Sequence, residues 1–337
     1  MEILTSQIAG NKIVMVNWRS ALFLLFFIVP CLVIKGHLST AAAQKKVVVS
    51  IAQIGEPLAE IANGHLQVIT LMEQGVDPHL YRLTRSDIVK LNNADLIVYN
   101  GLHLEAQLVV PLSRFSIYKP VVAVGDSLVG KGLLDWNGKA YDPHIWMDPQ
   151  LWISALTVGV EALAKLDPSK ATTYRTNALI YFSKLNNLNE RTHEAVSTIP
   201  KQSRTLITAH DAFGYFGRAY GIDVQGVQGI STESEAGIRK IEFLVDTLVR
   251  RRIAAVFIET TVSERNIKAL IEGAAARNHY VKIGGTLFSD SMGLKGTPTG
   301  TYVGMFEHNV NTIVQALGGK LPNQIVTKPT VGKVARK

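Results

Sequence analysis

LDPSKATTYRTNALIYFSKLNNLNERTHEAVSTIPK, residues 166–201, decides the fold. Asp167 offers a helix cap, Pro168 suits a first turn, and Pro200 closes the segment. Apolar positions at Ala171, Tyr174, Ala178, Tyr181, Leu185, Leu188, Ala195 and Ile199 recur at spacings of three and four, with position 192 the polar exception. One unbroken helix over 167–199 is the structure that places such a stripe on a single face. At 1.5 Å per residue, about thirty residues make a rod of roughly 45 Å, enough to cross a whole domain.

The flanks of this helix are built differently from it. Before it come the β-branched runs KVVVSI (46–51), QVITLM (67–72), DLIVYN (95–100) and PVVAVG (120–125). After it come RTLITA (204–209), IDVQGV (222–227), IAAVFIE (253–259) and HYVKIGG (279–285). Near-continuous apolar strands alternating with helical segments predict parallel sheets covered on both faces. The expected fold class is therefore α/β, with two lobes of mostly parallel four-stranded sheets, 44–166 and 200–320, joined by one long α-helix. A helical connection is stiff and argues against a wide hinge. Residues 125–144 read as an irregular loop, and 321–337 as a loose basic tail.

A chain of 337 residues with 47% hydrophobic and 18% charged content has the composition of a folded protein. Its formal charge of +8 sits mostly at the ends: +2 in residues 1–43 and +4 from Val326 onward, leaving +2 for the body between. That distribution, without any aromatic-interleaved basic patch, speaks against nucleic acid as a partner. Arg19, the short apolar run ALFLLFFIVPCLVI (21–34) and the small-residue stretch STAAAQ (39–44) have the order of a signal peptide cut after Ala43. A retained membrane anchor is the alternative, but the run is short for a span and carries Pro30. Met15 is a second candidate start. The lone cysteine, Cys31, falls in this segment. It is either a discarded apolar residue or an acylated anchor, with Pro30 fitting poorly before a processed lipoprotein cysteine. The expected location is outside the cytoplasm, periplasmic or on the outer face of the membrane. After cleavage no thiolate is left, so a metal site would have to come from histidines and carboxylates.

Nine histidines are available. His37 leaves with the leader, His193 rides on the long helix, and His65, His279 and His308 have no companions nearby. His103, in NGLHLE, follows a strand and could sit near a cleft or serve the packing. His79 and His144 both stand behind an Asp-Pro pair, in VDPHLY and DPHIWM. Proline fixes its own φ and keeps the preceding residue extended, so each histidine leaves a stiff platform. His210 directly follows a strand, and so does Asp290, beyond Gly284-Gly285. In parallel α/β sheets, ligands collect beyond the carboxyl ends of strands. These four residues, two from each lobe, are the expected metal ligands facing across a cleft. One Asp-Pro-His alone is more often a turn. IGG at 283–285 lacks the spacing of a phosphate loop.

VDPHLY, NGLHLE, DPHIWMDPQLW, TAHDAFGYFGRAYGID, GISTESEAG, VFIET, IGGTLFSDSMG and GTYVGMFEHNV occur in that order over residues 45–318. Together they resemble the TroA-like (cluster A-I) zinc/manganese solute-binding proteins of ABC importers, a group that includes a cell adhesion family. The resemblance implies one divalent cargo ion, Zn²⁺ or Mn²⁺, held between the lobes by His79, His144, His210 and Asp290. It implies as partners a membrane permease and its cytoplasmic ATPase, with the binding protein a monomer whose lobes draw slightly together around the metal. His210 stands where some manganese-type relatives carry Glu, yet the 125–144 loop lacks the His-rich insertion of many zinc scavengers. The two departures pull the metal identity in opposite directions. Glu259 matches the family's Phe/Ile-Glu element and would support a ligand, line the cleft or cap a turn. Asp77, Asp142 and Asp211 would orient histidines or serve turns, and Trp146 and Trp152 would be core or cleft wall. An exported metal-dependent hydrolase is the rival reading, with Glu259 as its general base, although no His-Glu-x-x-His helix or nucleophile elbow supports it. Capture predicts no catalysis.

Overall fold

The computed structural model describes residues 44–136 and 138–321. The expected leader with Cys31, and the basic tail from residue 322, lie outside the described residues. The first lobe begins with β1 (Lys46–Ile51), buried at every residue but its first. There follow α1 (Ala52–Ala62), β2 (Gln67–Met72), α2 (Arg85–Asn92), β3 (Leu96–Tyr99), α3 (Val109–Phe115) and β4 (Val121–Ala123). The strands form one parallel sheet in the order β2-β1-β3-β4. That order reverses direction between β1 and β3, and loops beyond such a switch point diverge to leave a crevice.

The 125–144 segment is less irregular than its sequence suggests. It contains a 3-10 turn at Asp126–Leu128 and an antiparallel hairpin, β5 (Asp135–Trp136) with β6 (Ala140–Tyr141). The Asp135 carboxylate closes the hairpin by accepting the Gly138 N–H at 2.8 Å. Strands of two residues are too short to show any period in the sequence. Next, α4 (Pro149–Leu166) opens on the second Asp-Pro of DPHIWMDP, with Pro149 at its first position. The Asp148 side chain accepts the N–H groups of Gln150 and Leu151, a cap of about 0.5–2 kcal/mol.

The long helix starts later than its sequence suggests. Asp167 accepts the hydroxyls of Ser169 (2.6 Å) and Tyr174 (2.9 Å) and does not cap α5. A 3-10 turn at Pro168–Lys170 therefore precedes α5 (Ala171–Ser197), whose 27 residues span roughly 40 Å. The stripe from Tyr174 to Ala195 is buried as its spacing requires. Thr192, the polar exception, is also buried, and its hydroxyl donates to the Leu188 carbonyl at 2.8 Å. Bonding back within the helix lets a polar residue sit on an apolar face.

The second lobe runs β7 (Thr205–Thr208), α6 (Gly214–Tyr220), β8 (Asp223–Gly226), α7 (Ile238–Arg251), β9 (Ala255–Glu259), α8 (Arg265–Ala275), β10 (Lys282–Leu287) and α9 (Tyr302–Ala316). All four strands are in parallel pairs, β7 with β8 and β9 with β10. β7 lies beside β9 without a backbone ladder, so the strands are two adjoining pairs and not one unbroken sheet. α5 packs on α1 and α4 of the first lobe and on α6 and α9 of the second. One continuous apolar core accordingly runs from β1 through Leu185 and Leu188 to Phe216, Tyr302 and Phe306. A smaller core under α7 and α8 holds Leu244, Leu248, Val256 and Leu270. A shared core on both sides of α5 resists large rotations between the lobes.

Candidate metal centre

Four loops beyond strand ends bring the site together. After β2, the Asp77 carboxylate accepts the backbone N–H of His79 at 2.9 Å, which fixes the Asp-Pro-His turn. In the second such turn, Asp142 Oδ1 accepts both the His144 backbone N–H (2.9 Å) and its ring Nδ1–H (2.7 Å). Asn100, just past β3, donates to the Pro143 carbonyl at 3.0 Å, and the Tyr215 hydroxyl donates to the Asp142 carbonyl at 2.7 Å. After β7, His210 is held by Glu259 at the end of β9: one carboxylate oxygen accepts its backbone N–H (2.8 Å) and the other its Nδ1–H (2.6 Å). β8 approaches this turn so closely that a Cβ on Gly226 would collide with the backbone of His210 and Asp211. After β10, the Ser289 carbonyl accepts the indole N–H of Trp146 at 2.9 Å, setting the position of Asp290 across the lobe boundary.

A carboxylate can only accept, so Nδ1 of His144 and His210 carries a hydrogen, and Nε2, able to ligate once it holds no proton, is the nitrogen that faces the centre. There His79 Nε2 and His144 Nε2 lie 3.3 Å apart. Asp290 places Oδ1 3.3 Å from His144 Nε2, and Oδ2 3.2 Å from His210 Nε2 and 3.7 Å from His79 Nε2. Four ligands at zinc-like bond lengths of about 2.0–2.1 Å stand about 3.3–3.4 Å apart along the edges of a tetrahedron. The spacing fits an ion. All four side chains are buried, and His210 Nε2 and both Asp290 oxygens have no hydrogen-bond partner among the described residues. Buried polar atoms rarely go unpaired, and a cation at the centre would satisfy all three.

The electrostatics separate the histidines. Burial pushes His79 down to about 3, so it is neutral at ordinary pH. Burial also opposes protonation of His144, but Asp142 and then Asp290 outweigh it and raise that ring to about 9. His210 is likewise held well above its usual value, because Glu259 and Asp290 overcome its burial. Burial alone would raise Asp290, yet His210 and His144 keep its carboxyl well below the usual range. The carboxylate is thus the one anionic donor among three imidazoles.

A family model described as ZnuA, zinc-uptake complex component A, periplasmic, matches residues 47–316. The chain belongs to this ZnuA family. Its members are metal-binding substrate-binding proteins of ABC transporters, and not enzymes. The chain is 43% identical over 279 residues to the manganese-binding lipoprotein MntA of Bacillus subtilis, covering 82% of this chain and 91% of that one. It is equally 43% identical over 279 residues, with the same coverage, to the zinc-binding protein TroA of Treponema pallidum. The solved structure of the latter periplasmic protein superposes with a TM-score of 0.80 at 42% identity, covering 81% of this chain and 99% of that one.

Within this ZnuA-family site, neighbours in sequence are not always neighbours in space. Asp211 follows His210, yet its carboxylate makes no hydrogen bond to a histidine among the described residues; Glu259, 49 residues away, takes that place. Asp77 holds the backbone of His79 and not its ring. His103 and His193 are exposed, and His279 and His308 bond to the carbonyls of Ile253 and Thr286. Trp146 stands against His144 with ring centroids 5.4 Å apart, and Trp152 is buried behind it. Tyr215 and Thr232 lie inside the motifs TAHDAFGYFGRAYGID and GISTESEAG, but nothing there singles them out; both touch the loops of the candidate residues, and the Thr232 hydroxyl donates to Asp77 at 2.6 Å.

Because Glu259 makes two charge-assisted bonds to His210, Glu259→Gln is expected to lower metal affinity by about 10–100-fold while leaving the ion bound at the same place. Equilibrium titration against a competing chelator measures it. An unchanged affinity would remove Glu259 from the account.

Proposed function

We propose that this protein captures one divalent transition-metal ion, Zn²⁺ or Mn²⁺, between its lobes and hands it to the permease of an ABC importer driven by a cytoplasmic ATPase. In this reading His79, His144, His210 and Asp290 are the ligands. The observation that carries it is the convergence of their buried donor atoms within 4.8 Å of one another. Four protein ligands around zinc leave no open position for a reacting water, which suits capture. Both Asp290 oxygens face the imidazoles, so the carboxylate can also bind through both and enlarge the shell for Mn²⁺. Intrinsic affinity favours zinc, and manganese loading would then depend on availability. The protein acts as an exported monomer, in the periplasm or on the outer face of the membrane. No described helix is long and apolar enough to cross a membrane.

Proton competition provides the test. With His144 at about 9 and His210 raised well above its usual value, both rings carry a second proton on Nε2 at neutral pH. Since His79 is already neutral, the ion must displace about two protons, not three. Affinity should therefore fall as pH falls, by up to about 100-fold per unit between pH 6 and 8. Titration calorimetry of residues 44–337 in buffers of different ionisation heat counts the released protons. A stoichiometry of one ion with about two protons lost supports the reading; binding without proton release contradicts it.

A further inference from the structure

The three histidines are not braced alike. His144 and His210 are each gripped at the backbone N–H and at ring Nδ1 by a buried carboxylate, Asp142 and Glu259. For His79, Asp77 Oδ1 takes the backbone N–H at 2.9 Å, and no carboxylate touches ring Nδ1 among the described residues. Asp77 Oδ2 instead accepts the Thr232 hydroxyl at 2.6 Å, across 155 residues. Thr232 lies in the loop between β8 and α7, in the other lobe. The next residue repeats the crossing: Glu233 Oε1 accepts the side-chain N–H of Gln107, just before α3, at 3.1 Å.

Arg218 of α6 makes a further peripheral bond between the lobes, to the Gly132 carbonyl, whereas several others lie in the shared core. Trp146 donates to the Ser289 carbonyl and Tyr302 donates to the Trp146 carbonyl, and both rings are fully buried. Separating those groups would disturb the packing around α5. Thr232 is half-buried and Glu233 is exposed, so their bonds can part while the core stays intact. When Thr232 lets go of Asp77, the turn that carries the least-braced imidazole loses the one side-chain hydrogen bond that Asp77 makes to the opposite lobe among the described residues.

We infer that Thr232 is a positioning residue that latches the His79 turn to the second lobe and sets how fast the bound metal leaves. The inference rests on His79 being a ligand. One carboxylate joins both events: Oδ1 shapes the turn that aims His79, and Oδ2 registers whether the lobes are closed. The hydrogen bond holds the His79 turn in place around a bound ion, so it must part before the ion leaves. The latch therefore acts on dissociation more than on association. Gln107 and Glu233 form an outer, solvent-screened contact of smaller effect.

The test uses residues 44–337 loaded with Zn²⁺ and mixed rapidly with excess chelator, comparing wild type with Thr232→Val, Thr232→Ser and His79→Ala. Thr232→Val keeps the shape and deletes the hydroxyl. It should speed metal release by about 10-fold, the scale of one hydrogen bond to a charged group, with the association rate within about twofold. Thr232→Ser should restore slow release, and the melting temperature of the metal-free protein should not change. If Thr232→Val releases metal at the wild-type rate, or Thr232→Ser releases it as fast as Thr232→Val, the latch is wrong. Equal slowing of association and speeding of release would also overturn it, because general damage to the site does that. If His79→Ala leaves affinity intact, the ligand reading itself fails, which separates the two failures.

Discussion

Asp290→Ala is expected to cost at least about 100-fold in affinity for Zn²⁺ or Mn²⁺, beyond what loss of a residue that only supports a ligand would cost. Asp290 is the single anionic donor, and its two oxygens reach His144, His210 and His79 at 3.3, 3.2 and 3.7 Å. Without it three imidazoles remain, and the divalent charge has no compensating anion in direct contact. The carboxylates of Glu259 and Asp142 cannot substitute, because each is already engaged with a backbone N–H and a ring Nδ1. His210→Ala should be of similar severity, since His210 ties the β7 loop to β9 as well as facing Asp290. Affinity is read by chelator competition, with circular dichroism of the metal-free variants as the control for folding. Wild-type affinity in Asp290→Ala would place the ion elsewhere.

Metal loading should also raise thermal stability strongly. An ion bound only by the folded chain stabilises it by about 4.1 kcal/mol when free metal is 1,000 times Kd. At about 2.1 cal/mol/K per residue, a chain of about 300 residues gains about 1.6 °C per kcal/mol, so Tm should rise by roughly 6–7 °C. The increase would come from joining groups on both lobes, since two of the proposed ligands enter from loops before α5 and two from loops after it. Scanning calorimetry with excess metal and with chelator measures the shift. Asp290→Ala and His210→Ala should lose most of it, whereas Thr232→Val should keep most of it. A shift that persists in the ligand variants would mean that metal stabilises the chain through some other site.

Much of the architecture could be read before any coordinates. The α5 stripe was legible because a buried helix face leaves a period, and the strands because parallel sheets demand unbroken apolar runs. The placing of His79, His210 and Asp290 beyond strand ends, and of His144 at the end of a loop, followed from that reading, and proline stiffened two of them. What escaped has a common physical origin. The β5–β6 hairpin is too short for a pattern, and the missing ladder between β7 and β9 depends on strand separation, which no local sequence encodes. Asp211 looked well placed beside His210, but adjacency in a turn does not aim a side chain. Glu259 was marked, but which residue it holds was not, since His210 lies 49 residues away, and Thr232 reaches the His79 turn from 155 residues away. Those contacts exist only once the lobes are folded.

The most direct measurement is anomalous diffraction from crystals of residues 44–337 loaded with zinc, recorded on both sides of the zinc absorption edge. One strong peak per chain is expected, about 2.0–2.2 Å from Nε2 of His79, His144 and His210 and from an Asp290 oxygen. A peak that excludes any of the four, or sits outside the cleft, would contradict it.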